Sequence, residues 1–137
     1  MRMRKFITYW LPVVIWMGVI FIFSSRQKVE VSDTYAINFL FFKTLHVLEY
    51  SFLMMFMFRA VANTIGKSYG WVAFVICILY AVSDEIHQRF VPTREGRLRD
   101  VIIDSGGILL SWILIAKLLP KAPKKLRNLA KRFQMLL

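Results

Sequence analysis

Residues 39–62 read FLFFKTLHVLEYSFLMMFMFRAVA. The run is long enough to cross the hydrocarbon core of a bilayer, which takes roughly 20 residues and at least ~17. One half of it carries groups that hydrocarbon does not tolerate: Lys43, His46, Glu49 and Tyr50. Spacings of three, four and seven place all four on one helical face. His46 lies about 10 Å along the helix from Phe39, with Glu49 a turn deeper. An ionisable group at such depth is expensive and faces protein or a water-filled cavity. The stretch therefore predicts a membrane span with a polar face that must meet other helices.

Three more apolar runs lie around it, at about Phe6–Phe23, Trp71–Gln88 and Val101–Leu119. Backbone groups find no partners in lipid, so the spans must be helical. The expected fold is all-α, an integral membrane bundle of four transmembrane helices. A re-entrant third or fourth segment is the alternative, because those two runs are nearer the minimum length. The 137-residue chain is 58% hydrophobic with a mean hydropathy of +0.54, richer in apolar residues than a typical soluble domain. The length suits one domain. The organisation read from it is a transmembrane domain over residues 1–119 and a basic amphipathic tail over residues 120–137. In that tail Leu126, Leu129, Ala130, Phe133, Leu136 and Leu137 recur at helical spacing among lysines and arginines. It reads either as a helix on the inner leaflet or as a basic tail serving topology alone. The first run is read as an uncleaved span, since it continues too long for a signal peptide and lacks a small-residue cleavage site. Cys77 is the single cysteine, which excludes an internal disulfide and suits a small packing residue.

Charge orients the bundle. With both termini inside, Arg2, Arg4, Lys5, Arg59, Lys67, Lys117, Lys121, Lys124, Lys125, Arg127, Lys131 and Arg132 fall inside. Arg26, Lys28, Lys43, Arg89, Arg94, Arg97 and Arg99 fall outside, together with all eight acids. The positive-inside rule favours this arrangement. The net charge of +11 is thus a topology signal. It is no reason to expect nucleic-acid binding, which a module this apolar does not suit.

The same orientation gathers the polar residues at one level. The third run carries a stripe of Tyr80, Asp84, His87 and Gln88, with Glu85 pointing about 100° away. The fourth carries Asp100, Asp104, Gly107 and Ser111, where Gly106 and Gly107 are small enough for a close helix approach. The first ends in Ser24, Ser25 and Arg26. The loop from Arg89 to Asp100 adds Arg94 and Arg97 around Pro92 and Gly96. Outer arginines run against the topological trend. They serve either salt bridges to Glu85, Glu95, Asp100 or Asp104, or an anionic ligand whose oxygens match guanidinium forks.

KTLHVLEYSFL (43–53), YAVSDEIHQRFVPTREGRLRDVIIDSGG (80–107) and FSS (23–25) together resemble the VanZ-like family. These are bacterial membrane proteins named after an accessory protein of glycopeptide resistance associated with teicoplanin. The resemblance runs from about Phe21 to Ser111. It carries the family's polar set onto Ser24, Lys43, His46, Glu49, Tyr50, Asp84, Glu85, His87, Gln88, Pro92, Arg94, Asp100 and Asp104. The family commonly has Gly where this chain has Thr93, and often Asn where it has Asp104. The resemblance implies a place in the bacterial cytoplasmic membrane and a link to the cell envelope and drug tolerance.

Two classes of function follow. In one, the cluster is an active site acting on an anionic envelope lipid or cell-wall precursor. His46, Glu49, Asp84 and His87 are then the acid–base candidates. Ser24, Lys43, Tyr50, Glu85, Gln88, Arg94, Arg97, Asp100 and Asp104 are the binding set. In the other, the network is structural or binds a drug or partner, with pairs such as Glu49–Arg94 or Asp84–His46. So many polar groups are a weak route to stability alone, since a membrane hydrogen bond contributes only ~0.6 kcal/mol on average. This inclines the reading to a lipid-directed enzyme. No cofactor is expected. Zn²⁺ on His46, Glu49, Asp84 and His87 would have the right ligand types but no HExxH or cysteine framework. Membrane lipid is the expected partner, and a bundle this small leaves room for a homo-oligomer.

Overall fold

The computed structural model describes residues 3–27, 29, 31–66, 68 and 70–135. Among them are five α-helices and no strand: α1 (Met3–Ser24), α2 (Tyr35–Thr64), α3 (Gly70–Gln88), α4 (Leu98–Ile113) and α5 (Lys124–Arg132). A π-helical segment (Leu114–Leu118) and a 3-10 turn (Leu119–Lys121) extend α4. Four helices are long and apolar enough to cross a membrane, the fourth spanning Leu98–Lys121. Segments three and four are continuous helices, so neither is a broken re-entrant loop. The helices start before the apolar runs do, because a helix carries its ladder past the polar residues that interrupt a run.

α2 is the central element and packs against α1, α3 and α4. Tyr50, Leu53, Met54, Met57 and Val61 of α2 are fully or almost fully buried. Ala73, Cys77 and Ala81 repeat every four residues on α3 and are all buried. Their small side chains give α3 close access to the bundle. Met54, Met57 and Phe58 are core residues, whereas Val14, Ile22, Leu48, Leu79 and Ile102 are exposed and suit lipid.

The crossing of α2 and α4 is tight. A Cβ at Gly107 would stand 2.5 Å from the Val47 carbonyl oxygen, while Gly106 has open space. Of the two expected glycines only Gly107 makes the approach. Ser51 Oγ donates to Gly107 O at 3.1 Å, and Ser111 Oγ donates to Ser51 O at 2.9 Å. Near its amino-terminal end, α4 is tied by Asp100 to Lys43 of α2, at 2.8 Å. Where the two backbones approach, at Gly107 and Val47, the position lies further into α2 than into α4, so α2 starts roughly 5 Å earlier. Its first turn overhangs the start of α4.

At the opposite end α5 folds back. Arg59 Nε donates to Phe133 O and Asn63 Nδ2 to Gln134 O, both at 3.0 Å. Ala130 and Met135 are buried there. Arg2, Lys28 and Lys67 of the topology reading, and Leu136 and Leu137 of the tail, lie outside the described residues.

Candidate functional site

Under the overhang of α2 lies a cleft of about 680 Å³. Its apolar walls include Phe23 of α1 and Phe39, Phe42 and Leu45 of α2. Its polar lining includes Ser24, Arg26, Lys43, His46, Glu49, Gln88, Arg94, Arg97 and Arg99, with Asp33, Glu95 and Asp100 as further carboxylates. Helical spacing explains the division along α2: positions 39, 42, 46 and 49 share a stripe that turns from aromatic to ionisable with depth.

One part of the polar set is internally satisfied. Ser24 Oγ donates to Asp84 Oδ1 at 2.6 Å, and Gln88 Nε2 to Asp84 Oδ2 at 2.9 Å. Arg94 donates to three acceptors: Arg26 O at 2.7 Å, Phe23 O at 3.0 Å and Gln88 Oε1 at 3.4 Å. Two of these are carbonyls just at or beyond the carboxy end of α1, where helical partners run out; Phe23 O has besides only a long bond from Arg26 N, at 3.3 Å. Arg94 therefore caps α1 and ties it to α3. The anticipated pair of Glu49 with Arg94 is not formed, because the guanidinium is committed to these carbonyls.

The loop is built on α3 as well. Glu85 Oε2 accepts the Arg97 backbone N–H at 2.9 Å. Gly96 lies so close to α3 that a Cβ would collide with the Glu85 carbonyl oxygen at 2.1 Å. Thr93 adopts φ 68°, in the left-handed region that glycine enters most easily. That is the position where the resembled family has glycine. Arg97 pairs with Glu95, the bland role foreseen for an outer arginine.

The other part faces the cleft with spare capacity. His46 Nδ1 lies 3.5 Å from Asp104 Oδ1. The contact is within ion-pair range but not aligned as a hydrogen bond, and both atoms are buried. Nδ1 thus belongs to the interior and Nε2 to the cleft side of the ring. The expected partner Asp84 is engaged by Ser24 and Gln88, and Asp104 takes its place. Glu49 lines the cleft one turn from His46. Its carboxylate makes no hydrogen bond or ion pair among the described residues, although its backbone carbonyl accepts Trp16 Nε1 at 2.9 Å. Tyr50 is wholly buried behind it, 6.4 Å from the Tyr80 ring. Lys43 is paired with Asp100, which also faces Arg99 at 3.6 Å.

His87 is not brought to this cleft. It stacks on Phe21 with ring centroids 4.5 Å apart, and its Nε2 meets Ser25 Oγ at 3.0 Å. Among the described residues no three His, Cys, Asp or Glu side chains are placed to hold a metal ion. The ring of His87 faces α1, away from the other three residues of the suggested zinc set.

Sequence reading missed Asn38 and left Arg26 out of the binding set. Asn38 is buried at the start of α2, where its Oδ1 accepts Val31 N and Ser32 N, both at 2.9 Å. This fastens the α1–α2 loop over the cleft. An asparagine opening a helical run was the available signal. Arg26 lies over the Phe23 ring at 5.4 Å, and no carboxylate pairs with its guanidinium among the described residues.

The fold and cleft define a polytopic helical membrane protein with a polar site at one end of the bundle. A family model described as VanZ/LLP1 matches residues 9–119, and the chain belongs to that VanZ-like family. No curated protein and no solved structure matches the chain.

Proposed function

We propose that the cleft receives an anionic amphiphile of the cell envelope, a lipid or lipid-linked cell-wall precursor, and acts on its head group by acid–base chemistry. The unpartnered Glu49 carboxylate beside His46 carries this reading. Ionisable groups inside a bundle are costly, and a structural network would be expected to pair this one. Instead Ser24, Asp84, Gln88 and Arg94 satisfy one another and hold the walls, while His46 and Glu49 remain open to the cleft.

Each group then has a task. Arg26 meets the anionic head, because it is the lining arginine whose guanidinium makes no hydrogen bond or ion pair among the described residues. Phe39, Phe42 and Leu45 accommodate the apolar chain along α2. His46 exchanges a proton through Nε2 while Asp104, at ion-pair distance, stabilises the charged ring from the Nδ1 side. Glu49 is the second acid–base group. The distribution of lysine and arginine supports placing the cleft on the extracytoplasmic side of a bacterial membrane, where an envelope intermediate and a glycopeptide such as teicoplanin would be met.

The test is native mass spectrometry of protein purified from membranes. The wild type should retain a phosphorylated amphiphile, and Arg26→Gln should lose most of it at unchanged thermal stability. Equal retention by both proteins would contradict the assignment. One finding favours a structural role for part of the cluster: the three hydrogen bonds of Arg94. That residue is accordingly removed from the binding set.

A further inference from the structure

The end opposite the cleft carries a second surface, on α5. Viewed down the helix, Leu126, Leu129, Ala130 and Phe133 occupy one side, with Lys124, Arg127, Asn128 and Lys131 opposite. The structure divides the apolar side. Ala130 is buried against the bundle, whereas Leu126, Leu129 and Phe133 remain 52%, 51% and 62% exposed. Nothing among the described residues covers them.

The helix is nevertheless fixed in place. Gln134 adopts φ 57°, Met135 N donates back to Ala130 O at 2.9 Å, and Gln134 N donates to Lys131 O at 2.9 Å. This is a left-handed helix stop of the kind that satisfies the last carbonyls. Arg59 fastens the stop through Phe133 O and Gln134 Oε1. It also donates to Thr8 O of α1 and lies over the Tyr9 ring at 5.0 Å. The amino end of α5 follows the fourth span directly, separated from Lys121 only by Ala122 and Pro123. Both ends of α5 are therefore held where the spans leave the membrane.

We propose that α5 is a membrane-surface helix whose occupant is the anionic leaflet at this end of the bundle. Leu126, Leu129 and Phe133 enter the head-group boundary, and Lys124, Lys125, Arg127, Lys131 and Arg132 attract acidic phospholipid heads. Charge complementarity selects this occupant: α5 has five basic residues and no acid, and an amphipathic helix of that kind binds anionic bilayers. The inference stands apart from the chemistry of the cleft.

Spin labels on the full-length protein test it. In a Cys77→Ala background, Leu129→Cys and Asn128→Cys are labelled singly and reconstituted in nanodiscs. One set contains phosphatidylglycerol mixed with phosphatidylcholine, the other phosphatidylcholine alone. In the mixed bilayer the label at 129 should be several-fold more accessible to oxygen than to a water-soluble nickel chelate, and the label at 128 the reverse. Replacing the five basic residues by Gln should reduce that contrast to the level of the neutral bilayer. Equal nickel access at both positions in the mixed bilayer would overturn the proposal. So would shielding of residue 129 from both reagents, the result expected if a second copy or another protein covers the helix. Contrast independent of lipid charge would overturn the anionic assignment. Unchanged circular dichroism and elution keep a folding defect from imitating any of these outcomes.

Discussion

His46 offers one ring nitrogen to the cleft and turns the other toward Asp104, so the two atoms can be probed separately. His46→Gln keeps volume and a hydrogen-bonding end but cannot exchange a proton near neutrality. It should lower turnover by about 10²-fold or more, read as loss of the product lipid at equal protein amount. Asp104→Asn keeps an acceptor near Nδ1 and should retain more activity than His46→Gln. A collapse of protein level in Asp104→Asn would assign Asp104 to folding instead. Arg94 is predicted to behave in the opposite way to a ligand-binding arginine. Arg94→Ala should cost about 1.5–3 kcal/mol, the range for a hydrogen bond to a charged group, measured by thermal unfolding in detergent. Arg94→Lys should restore little of it, since one ammonium cannot reach three separated acceptors as a guanidinium fork does. Arg26→Gln should leave stability unchanged. Spacing put Lys43, His46 and Glu49 on one face of α2, and all three line the cleft, but it also put His87 in the α3 stripe, and that ring turns to α1. It did not reveal who pairs with whom. Arg94 takes carbonyls supplied by the end of α1, and backbone acceptors of a distant helix leave no mark in the sequence.

Among the elements, α2 and α4 show how much of a helix contact can be read ahead of the structure. Adjacent glycines suggest a close approach, but only one of two neighbouring positions can face the partner. Gly107→Ala should force α4 away from the Val47 carbonyl and destabilise the bundle, whereas Gly106→Ala should be neutral or slightly favourable through better helix propensity. Equal melting temperatures for the two variants would contradict the close crossing of α2 and α4 at Gly107. The turn after α3 offers a converse case. Thr93 holds a left-handed conformation that costs roughly 1–2 kcal/mol for a residue with a Cβ. Thr93→Gly should relieve it and raise the melting temperature, by less than the full strain because Thr93 makes a contact of its own. The four spans and their order were legible because apolar length is a strong signal. The early start of α2 was not, because Asn38 interrupts the apolar run and the helix continues past it on its ladder and on the loop that Asn38 secures.

For the whole molecule, the cleft and the basic end are at opposite ends of one bundle. Cysteine labelling at Gln27 and at Ser68 measures which end faces out. Position 27 should react with an impermeant maleimide in intact cells and position 68 only after lysis. The reverse pattern would turn the cleft toward the cytoplasm and make an extracytoplasmic substrate untenable. The most direct measurement of lipid chemistry at His46 is a comparative lipid profile of membranes containing wild-type protein, His46→Gln protein or neither, with the two proteins matched in amount. A phosphorylated amphiphile should change in abundance only with the wild type, and the His46→Gln profile should coincide with that of membranes without the protein. Coinciding wild-type and His46→Gln profiles would contradict catalysis at the cleft.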